Sequence, residues 1–172
     1  MGADPEPRRP GAARVALAIL PLPFVAVVVI PALILLSGGS DWELEPALGA
    51  IATVIGCLAL ALGLGLFVAT VRLFASLGRG TLAPWDPPRR LVVAGPYRRL
   101  RHPMITGVTL ALAGLALVAR STGIAIELAV FVAVNALYLP LVEEPALVRR
   151  FGDDYVHYME RVPRWWPRLG RD

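Results

Sequence analysis

The sequence predicts an all-α integral membrane protein of about four transmembrane helices, and three observations carry that prediction. Of its 172 residues, 56% are hydrophobic and only 17% charged, with a mean hydropathy of +0.64, whereas soluble domains carry about a quarter charged residues. The apolar residues are gathered into four long runs. The arginines sit in alternate links between those runs. All 17 basic residues are arginine, so the net charge of +4 and the pI near 10.0 belong to a few clusters rather than to a basic domain. Nucleic acid is therefore not an expected partner. The single cysteine, Cys57, lies inside an apolar run, which excludes an internal disulfide and leaves too few thiols for a structural zinc site.

The first run, Val15 to Leu36, has 22 residues without a charge and the second, Ala47 to Val71, has 25, so each reaches the roughly 20 residues that a spanning helix needs. The first is too long and too rich in proline (Pro21, Pro23, Pro31) for a signal-peptide core, and reads as a retained, kinked helix. Gly56, Gly63 and Gly65 in the second run suit close helix packing. The third run, Met104 to Ala119, has 16 residues and starts in the motif before it. The fourth, Ile124 to Val142, has 19 and contains Glu127 and Asn135. The polar link Arg120-Ser121-Thr122-Gly123 between them is short enough for an antiparallel helical hairpin. Glu127 is expected near the outer surface, within reach of water or Arg120, and Asn135 is expected to bond across helices.

Arginine placement gives orientation through the positive-inside rule. Arg8, Arg9 and Arg14 precede the first helix, six arginines from Arg79 to Arg101 lie between the second and third, and six from Arg149 to Arg171 follow the fourth. The opposite links hold Asp41, Glu43 and Glu45, and a lone Arg120. This predicts four spans with both termini cytoplasmic. The all-arginine basic set fits a GC-rich bacterial coding sequence and hence the bacterial inner membrane. The chain divides into a disordered tail (1–13), two N-terminal membrane helices (14–77) and a C-terminal region (78–172) that holds nearly all the polar chemistry.

That chemistry lies in two cytoplasmic segments. In the first, the Pro-rich stretch Thr81 to Pro88 forbids a helix interior. After it, Leu91 to Tyr97 reads as a short extended piece ending in a turn, and Tyr97-Arg98-Arg99-Leu100-Arg101-His102-Pro103 leads into the third helix with Pro103 in its first turn. In the second, Glu143-Glu144-Pro145 sits where the fourth helix leaves the bilayer, and Phe151-Gly152-Asp153-Asp154-Tyr155, Tyr158 and Arg161-Val162-Pro163-Arg164 follow. Unpaired charges at the bilayer edge are expensive, so the two carboxylates are expected to share a polar cavity with the arginine loop. Asp153 and Asp154 read as solvated. Tyr155, Tyr158, Trp165 and Trp166 read as interfacial aromatics, and His157 has no partner at metal-ligand spacing, so no metal site is expected.

Gly95-Pro96-Tyr97-Arg98-x-x-Arg101-His102-Pro103, followed by Glu143-Glu144-x-x-Leu147-x-x-x-Phe151-Gly152-x-x-Tyr155-x-x-Tyr158 and Arg161-Val162-Pro163, resembles the membrane methyltransferases typified by isoprenylcysteine carboxyl methyltransferase and phospholipid N-methyltransferase. The resemblance covers about Arg89 to Pro167. It implies a fold without a Rossmann domain, with S-adenosyl-L-methionine held at the cytoplasmic helix ends. It also implies a lipophilic small molecule or lipid-modified substrate that enters from the membrane bilayer. Carried over by position, Tyr97 and His102, Pro103, Met104 and Ile105 line the cofactor pocket, with Arg89 to Val92 as further contacts. Glu143 meets the cofactor's ammonium or adenosyl group with Glu144 as its support, and Arg101 and Arg161 orient substrate or cofactor carboxylate through their planar forks.

Two positions depart from the family pattern. Ile105 stands where the family usually has a tyrosine, so contacts there are apolar or through backbone. Leu139 stands where the prenylcysteine enzymes have an arginine, with Pro140 beside it to kink the helix, which argues against a prenylcysteine carboxylate substrate. These departures leave open a noncatalytic membrane interaction protein of the same fold, and Glu127 and Asn135 leave open a small membrane transport subunit. The predicted topology has a direct check: reporter fusions at Asp41 and Arg90 should report opposite sides of the membrane, and a shared side would refute it.

Overall fold

The computed structural model describes residues 21–38, 42–77 and 91–165. The expected N-terminal tail, the start of the first helix at Val15, the Pro-rich stretch with Arg89 and Arg90, and Trp166 lie outside the described residues. Five helices are described. α1 is Pro21–Leu36, α2 is Pro46–Leu77, α3 is Pro103–Ala119, α4 is Thr122–Phe151 and α5 is Asp153–Arg161. A single 3-10 turn, Gly95–Arg98, stands between α2 and α3, where the sequence indicated an extended piece closing in a turn.

The segments Pro46–Leu73 and Thr122–Phe151 are each long and apolar enough to cross a membrane, yet only 11% of either apolar window is buried inside the protein. Leu62 is 66% and Leu137 63% exposed. A soluble protein would hide helices of this composition in its core; here their apolar faces point outward, as lipid permits. α1 and α3 are shorter apolar helices.

Lipid tails are as apolar as leucine, so helix association in a bilayer rests on close van der Waals contact. The buried residues described in α2 are Gly49, Gly56, Gly63 and Thr70, seven residues apart and hence on one face, because two turns of helix take about 7.2 residues. They meet a matching pair on α3. A Cβ on Gly63 would lie 2.5 Å from the Gly107 carbonyl oxygen, and one on Gly114 would lie 2.5 Å from that of Gly56. The two helices thus run antiparallel with backbone against backbone. Gly65 has nothing within 4 Å of where its Cβ would be and, contrary to expectation, takes no part.

At one end of the bundle, Arg120 adopts a left-handed conformation (φ 52°) that stops α3, and the Ser121 hydroxyl caps α4 by accepting from the Ile124 N–H. Trp42 ties the α1–α2 link to this turn, its backbone N–H donating to Arg120 O (3.0 Å) and its indole N–H to Thr122 Oγ1 (2.8 Å). The α3–α4 hairpin is therefore as expected, and residues 91–103 and 139–165 gather at the opposite end.

Several details differ from the sequence reading. α4 does not end at Val142; it continues to Phe151 through a π turn at Leu139–Glu143, where the Glu144 N–H bonds to Leu139 O. α1 carries a like turn at Val25–Val29, with the Ile30 N–H on Val25 O. In both, a proline stands two residues after the π turn, Pro31 in one and Pro145 in the other. The carbonyl that its ring would strike, four residues back, is the middle one of the widened turn. The distortion expected at Pro140 is thus better attributed to Pro145. Among the described residues Asn135 makes no bond across helices; its amide donates to Phe131 O in its own helix (2.8 Å). Glu127 reaches neither water nor Arg120: both carboxylate oxygens are buried, with no partner among the described residues.

The glycine contact generates a mutational test. Gly63→Ala or Gly114→Ala should cost about 1–3 kcal/mol through overpacking of backbone, while Gly65→Ala should be neutral or stabilising by up to about 1 kcal/mol through helix propensity. Thermal unfolding of the three variants in detergent checks the order, and equal behaviour would refute the contact.

Candidate functional site

Two segments remote in sequence meet at the end of the hairpin opposite the Arg120 turn, and backbone hydrogen bonding joins them. The Arg101 N–H donates to Pro163 O (3.1 Å), and its side chain donates through Nε to Val162 O and through Nη2 to Met159 O, both at 2.6 Å. Met159 and Val162 are at the C-terminal end of α5, where carbonyls lack helical partners and a cation is favoured by the helix dipole. Arg101 is in effect the cap of α5. From the other side the Tyr158 hydroxyl donates to Tyr97 O (2.7 Å), with Leu100 O at 3.4 Å.

Beneath this joint lies Glu144, whose side chain is 8% exposed. Arg101 Nη1 reaches its Oε1 at 3.1 Å, Arg164 Nε reaches the same oxygen at 2.9 Å, and Arg164 Nη2 completes a bidentate pair on Oε2. His102, 6% exposed, stands between the two carboxylates, with Nδ1 3.4 Å from Glu143 Oε1 and Nε2 3.5 Å from Glu144 Oε1. Glu143 differs from its neighbour: its side chain is 35% exposed and, among the described residues, its ion-pair partner is His102. One carboxylate is locked by two guanidiniums; the other is half-exposed beside the imidazole.

Tyrosines insulate the cluster. Tyr155 is 2% and Tyr158 6% exposed, and with Val162 they form a small core against Leu91, Leu147 and Phe151. This corrects the reading of Tyr155 and Tyr158 as interfacial aromatics. Burial pushes the Tyr97 phenol far above its ordinary range, and the nearby Tyr158 and Glu143 push it further. Burial likewise raises Tyr155 and Tyr158, the latter partly offset by Arg101. All three hydroxyls are neutral donors at physiological pH. The hydrogen bond to Glu144, with its charge, holds the Arg164 guanidinium above the usual arginine value.

Of the residues singled out in the sequence, Arg101, His102, Glu143 and Glu144 are brought together by direct contact, and Tyr97 lies within electrostatic reach of Glu143. Pro103 is buried at the first position of α3, with the half-buried Met104 and Ile105 after it. Arg161 is not brought in: it is exposed in the last turn of α5 and makes none of these contacts. Arg164, not Arg161, reaches the carboxylate cluster. The signal for Arg164 was its position directly after Val162-Pro163, where an extended exit from α5 turns the chain back. Asp153 and Asp154 are exposed in the first turn of α5.

The asymmetry between the carboxylates is testable. Glu144→Gln should cost about 3–5 kcal/mol, the range for breaking one partner of a buried ion pair, whereas Glu143→Gln should stay within about 0.5 kcal/mol, as at exposed positions. Thermal unfolding in detergent measures both, and a Glu143→Gln penalty equal to that of Glu144→Gln would refute the division.

The family model for phospholipid methyltransferases matches residues 51–154, from the second turn of α2 to the first turn of α5, and so takes in the glycine contact, the hairpin, Arg101, His102 and both carboxylates. No curated protein matches the chain. A match over more than half of the sequence, on an all-helical chain with membrane-length apolar helices, settles the family: this chain belongs to the phospholipid methyltransferases, a family of membrane methyltransferases.

Proposed function

We propose that the chain transfers the methyl group of S-adenosyl-L-methionine to a lipophilic or membrane-embedded acceptor. The reaction would take place at the cytoplasmic face of a bacterial inner membrane, with four spans and both termini cytoplasmic. The observation that carries this reading is the meeting of His102 with Glu143 and Glu144 at the start of the hairpin, in a chain of a methyltransferase family.

The residues fit the cofactor's chemistry. Glu143 is the accessible acid for its ammonium or ribose hydroxyls. The first-turn N–H groups of α3, at Met104 and Ile105, have no helical acceptors and suit a carboxylate. Met104 and Ile105 also supply an apolar wall for the adenine, and Tyr97 a neutral phenol beside Glu143. Glu144 does not contact ligand in this reading; held by Arg101 and Arg164, it fixes His102 and through it Glu143. Arg101 is thus a positioning residue, and Arg161, exposed at the end of α5, keeps the role of meeting an anionic acceptor.

When bound, the cofactor supplies a methyl group already activated by a sulfonium. Glu143, Tyr97 and the start of α3 would hold the cofactor so that this methyl group could pass to an acceptor carboxylate, thiolate or amine, the carbon–sulfur electron pair leaving with the thioether. A carboxylate or thiolate needs no base, whereas an ammonium must first lose a proton. Holding nucleophile, carbon and sulfur in line carries much of the acceleration, so a rigid pocket is what the chemistry asks of the chain. The charge cluster beneath Glu143 provides that rigidity.

Equilibrium binding of the cofactor in nanodiscs tests the proposal. Saturable binding is expected, weakened about tenfold or more in His102→Ala and Glu143→Ala, in line with the loss of a charge-assisted hydrogen bond. Incubation with methyl-deuterated cofactor and a host lipid extract, followed by mass spectrometry, should then show a labelled lipophilic species. Absence of binding, or binding without any methyl transfer, would overturn the assignment.

A further inference from the structure

Glu127 carries a carboxylate into the apolar part of the bundle, and the methyl-transfer reading makes no use of it. Both its oxygens are buried, with no hydrogen-bond partner among the described residues. It stands five residues beyond Thr122, whose hydroxyl receives the Trp42 indole, and so about 7.5 Å along the membrane-length helix α4. Residues four apart share a helix face, and side chains lean toward the helix N-terminus, so Glu127 lies back over the turn that holds Gly123. That turn is where α1 seats: a Cβ on Gly123 would be 2.6 Å from Ile34 Cγ2. The acid therefore stands at the contact between α1 and α4. No cation answers it there. α1 and α3 hold no titratable or charged side chain over Pro21–Leu36 and Pro103–Ala119. Arg120 lays its guanidinium on α2 instead, with Nη2 2.7 Å from where a Gly49 Cβ would be. The titratable groups described in α2 are Cys57, which is exposed, and Arg72 toward the opposite end, while Glu43 and Glu45 in the α1–α2 link are exposed and of like sign.

We propose that Glu127 is a proton-binding site that governs the seating of α1: the neutral acid lets α1 close on α4, and the carboxylate releases it. A buried carboxylate without a donor is costly in apolar surroundings. A metal ion needs several oxygen ligands, and among the described residues no three His, Cys, Asp or Glu side chains gather to hold one. A proton needs a single lone pair, which makes it the occupant that this place fits. When the O–H bond breaks, the proton passes to water at the Arg120 end and the carboxylate must follow it to be solvated. α1 is the element that gives way. Pro31 is its only buried residue among those described, whereas α3 is held to α2 by the glycine contact and to α4 by the capped turn at Ser121. Acid conditions thus favour the seated helix and alkaline conditions the released one.

The test uses the full chain in nanodiscs with Cys57→Ala and the pair Ile34→Cys and Gly123→Cys. Ile34→Cys removes the branch that crowds Gly123, and the Cβ positions at 34 and 123 are 3.8 Å apart, the mean separation across a disulfide. Oxidation by copper phenanthroline is timed from about pH 6 to about pH 9, with Glu127 retained and with Glu127→Gln, so that the pH dependence of the thiols cancels in the ratio. At the acid end the two chains should cross-link at equal rates. At the alkaline end the chain with Glu127 should be slower by about tenfold or more, since each pH unit beyond the titration moves a one-proton equilibrium by up to about tenfold. Glu127→Leu should behave as Glu127→Gln does, and serves in its place if that variant does not fold. Thermal unfolding is followed at each pH and should show the folded bundle throughout. A ratio that does not change with pH, cross-linking lost in both neutral variants, or slow cross-linking that coincides with unfolding of the whole chain overturns the proposal.

Discussion

The close approach of α2 and α3 is the contact on which the rest of the structure depends. With no hydrophobic effect between helices in lipid, the bundle needs extended van der Waals contact. It obtains this by leaving side chains out at Gly56, Gly63, Gly107 and Gly114. Once α3 is laid against α2, its first residue fixes His102 and its last fixes the Ser121 turn, and α4 must return to the side where α3 began. The same contact borders an apolar groove open on the α1 side, where Gly63 and Gly107 face Val27 and Val28.

The second constraint is electrostatic. Arg101 spends one fork nitrogen on Glu144 and two nitrogens on the carbonyls that end α5, so it joins the interhelical loop, the carboxylate and the C-terminal helix at once. Arg164 closes the far side of Glu144. A buried carboxylate with two guanidiniums, both charged and both planar, is satisfied in its lone pairs as well as its charge. The cost of desolvating it is met by geometry rather than by Coulomb attraction alone. This explains why two motifs about 40 residues apart in sequence act as one structural unit.

Much of this was legible in the sequence, and the limits have physical reasons. Run length marked the helices and the short polar link at Arg120–Gly123 marked the hairpin, since a bilayer imposes length directly on composition. The convergence of Arg101, His102 and the glutamates followed from hairpin geometry once the motifs were placed. Rotational facts were not legible. Gly63 and Gly65 look alike in sequence, yet one faces backbone and the other lipid. Asn135 could reach a neighbouring helix or its own carbonyls, and only its orientation decides. Arg161 and Arg164 differ by three residues, but the extended backbone at Val162 (φ −110°, ψ 122°) turns the second inward and leaves the first in solvent. Tyr155 and Tyr158 carry the amphipathic signature of interfacial rings. They are core residues because α5 folds back on the loop, and no local pattern encodes that return.

The division of labour between the two glutamates follows from a single extra residue in a helical turn. Leu139 is fully buried on the inner face of α4. In an uninterrupted α-helix its successor on that face, one turn on, would be position 143. The π turn makes the step five residues, as the bond from the Glu144 N–H to Leu139 O records, and Glu144 inherits the buried position while Glu143 rotates toward solvent. The turn is wide where Pro145 needs it to be, because the ring would otherwise strike the Leu141 carbonyl. Proline in this helix therefore does more than bend it. By setting where the turn widens, Pro145 selects which carboxylate is locked into the arginine cluster and which is left half-exposed beside His102, the kind of local register change for which π turns at functional sites are known.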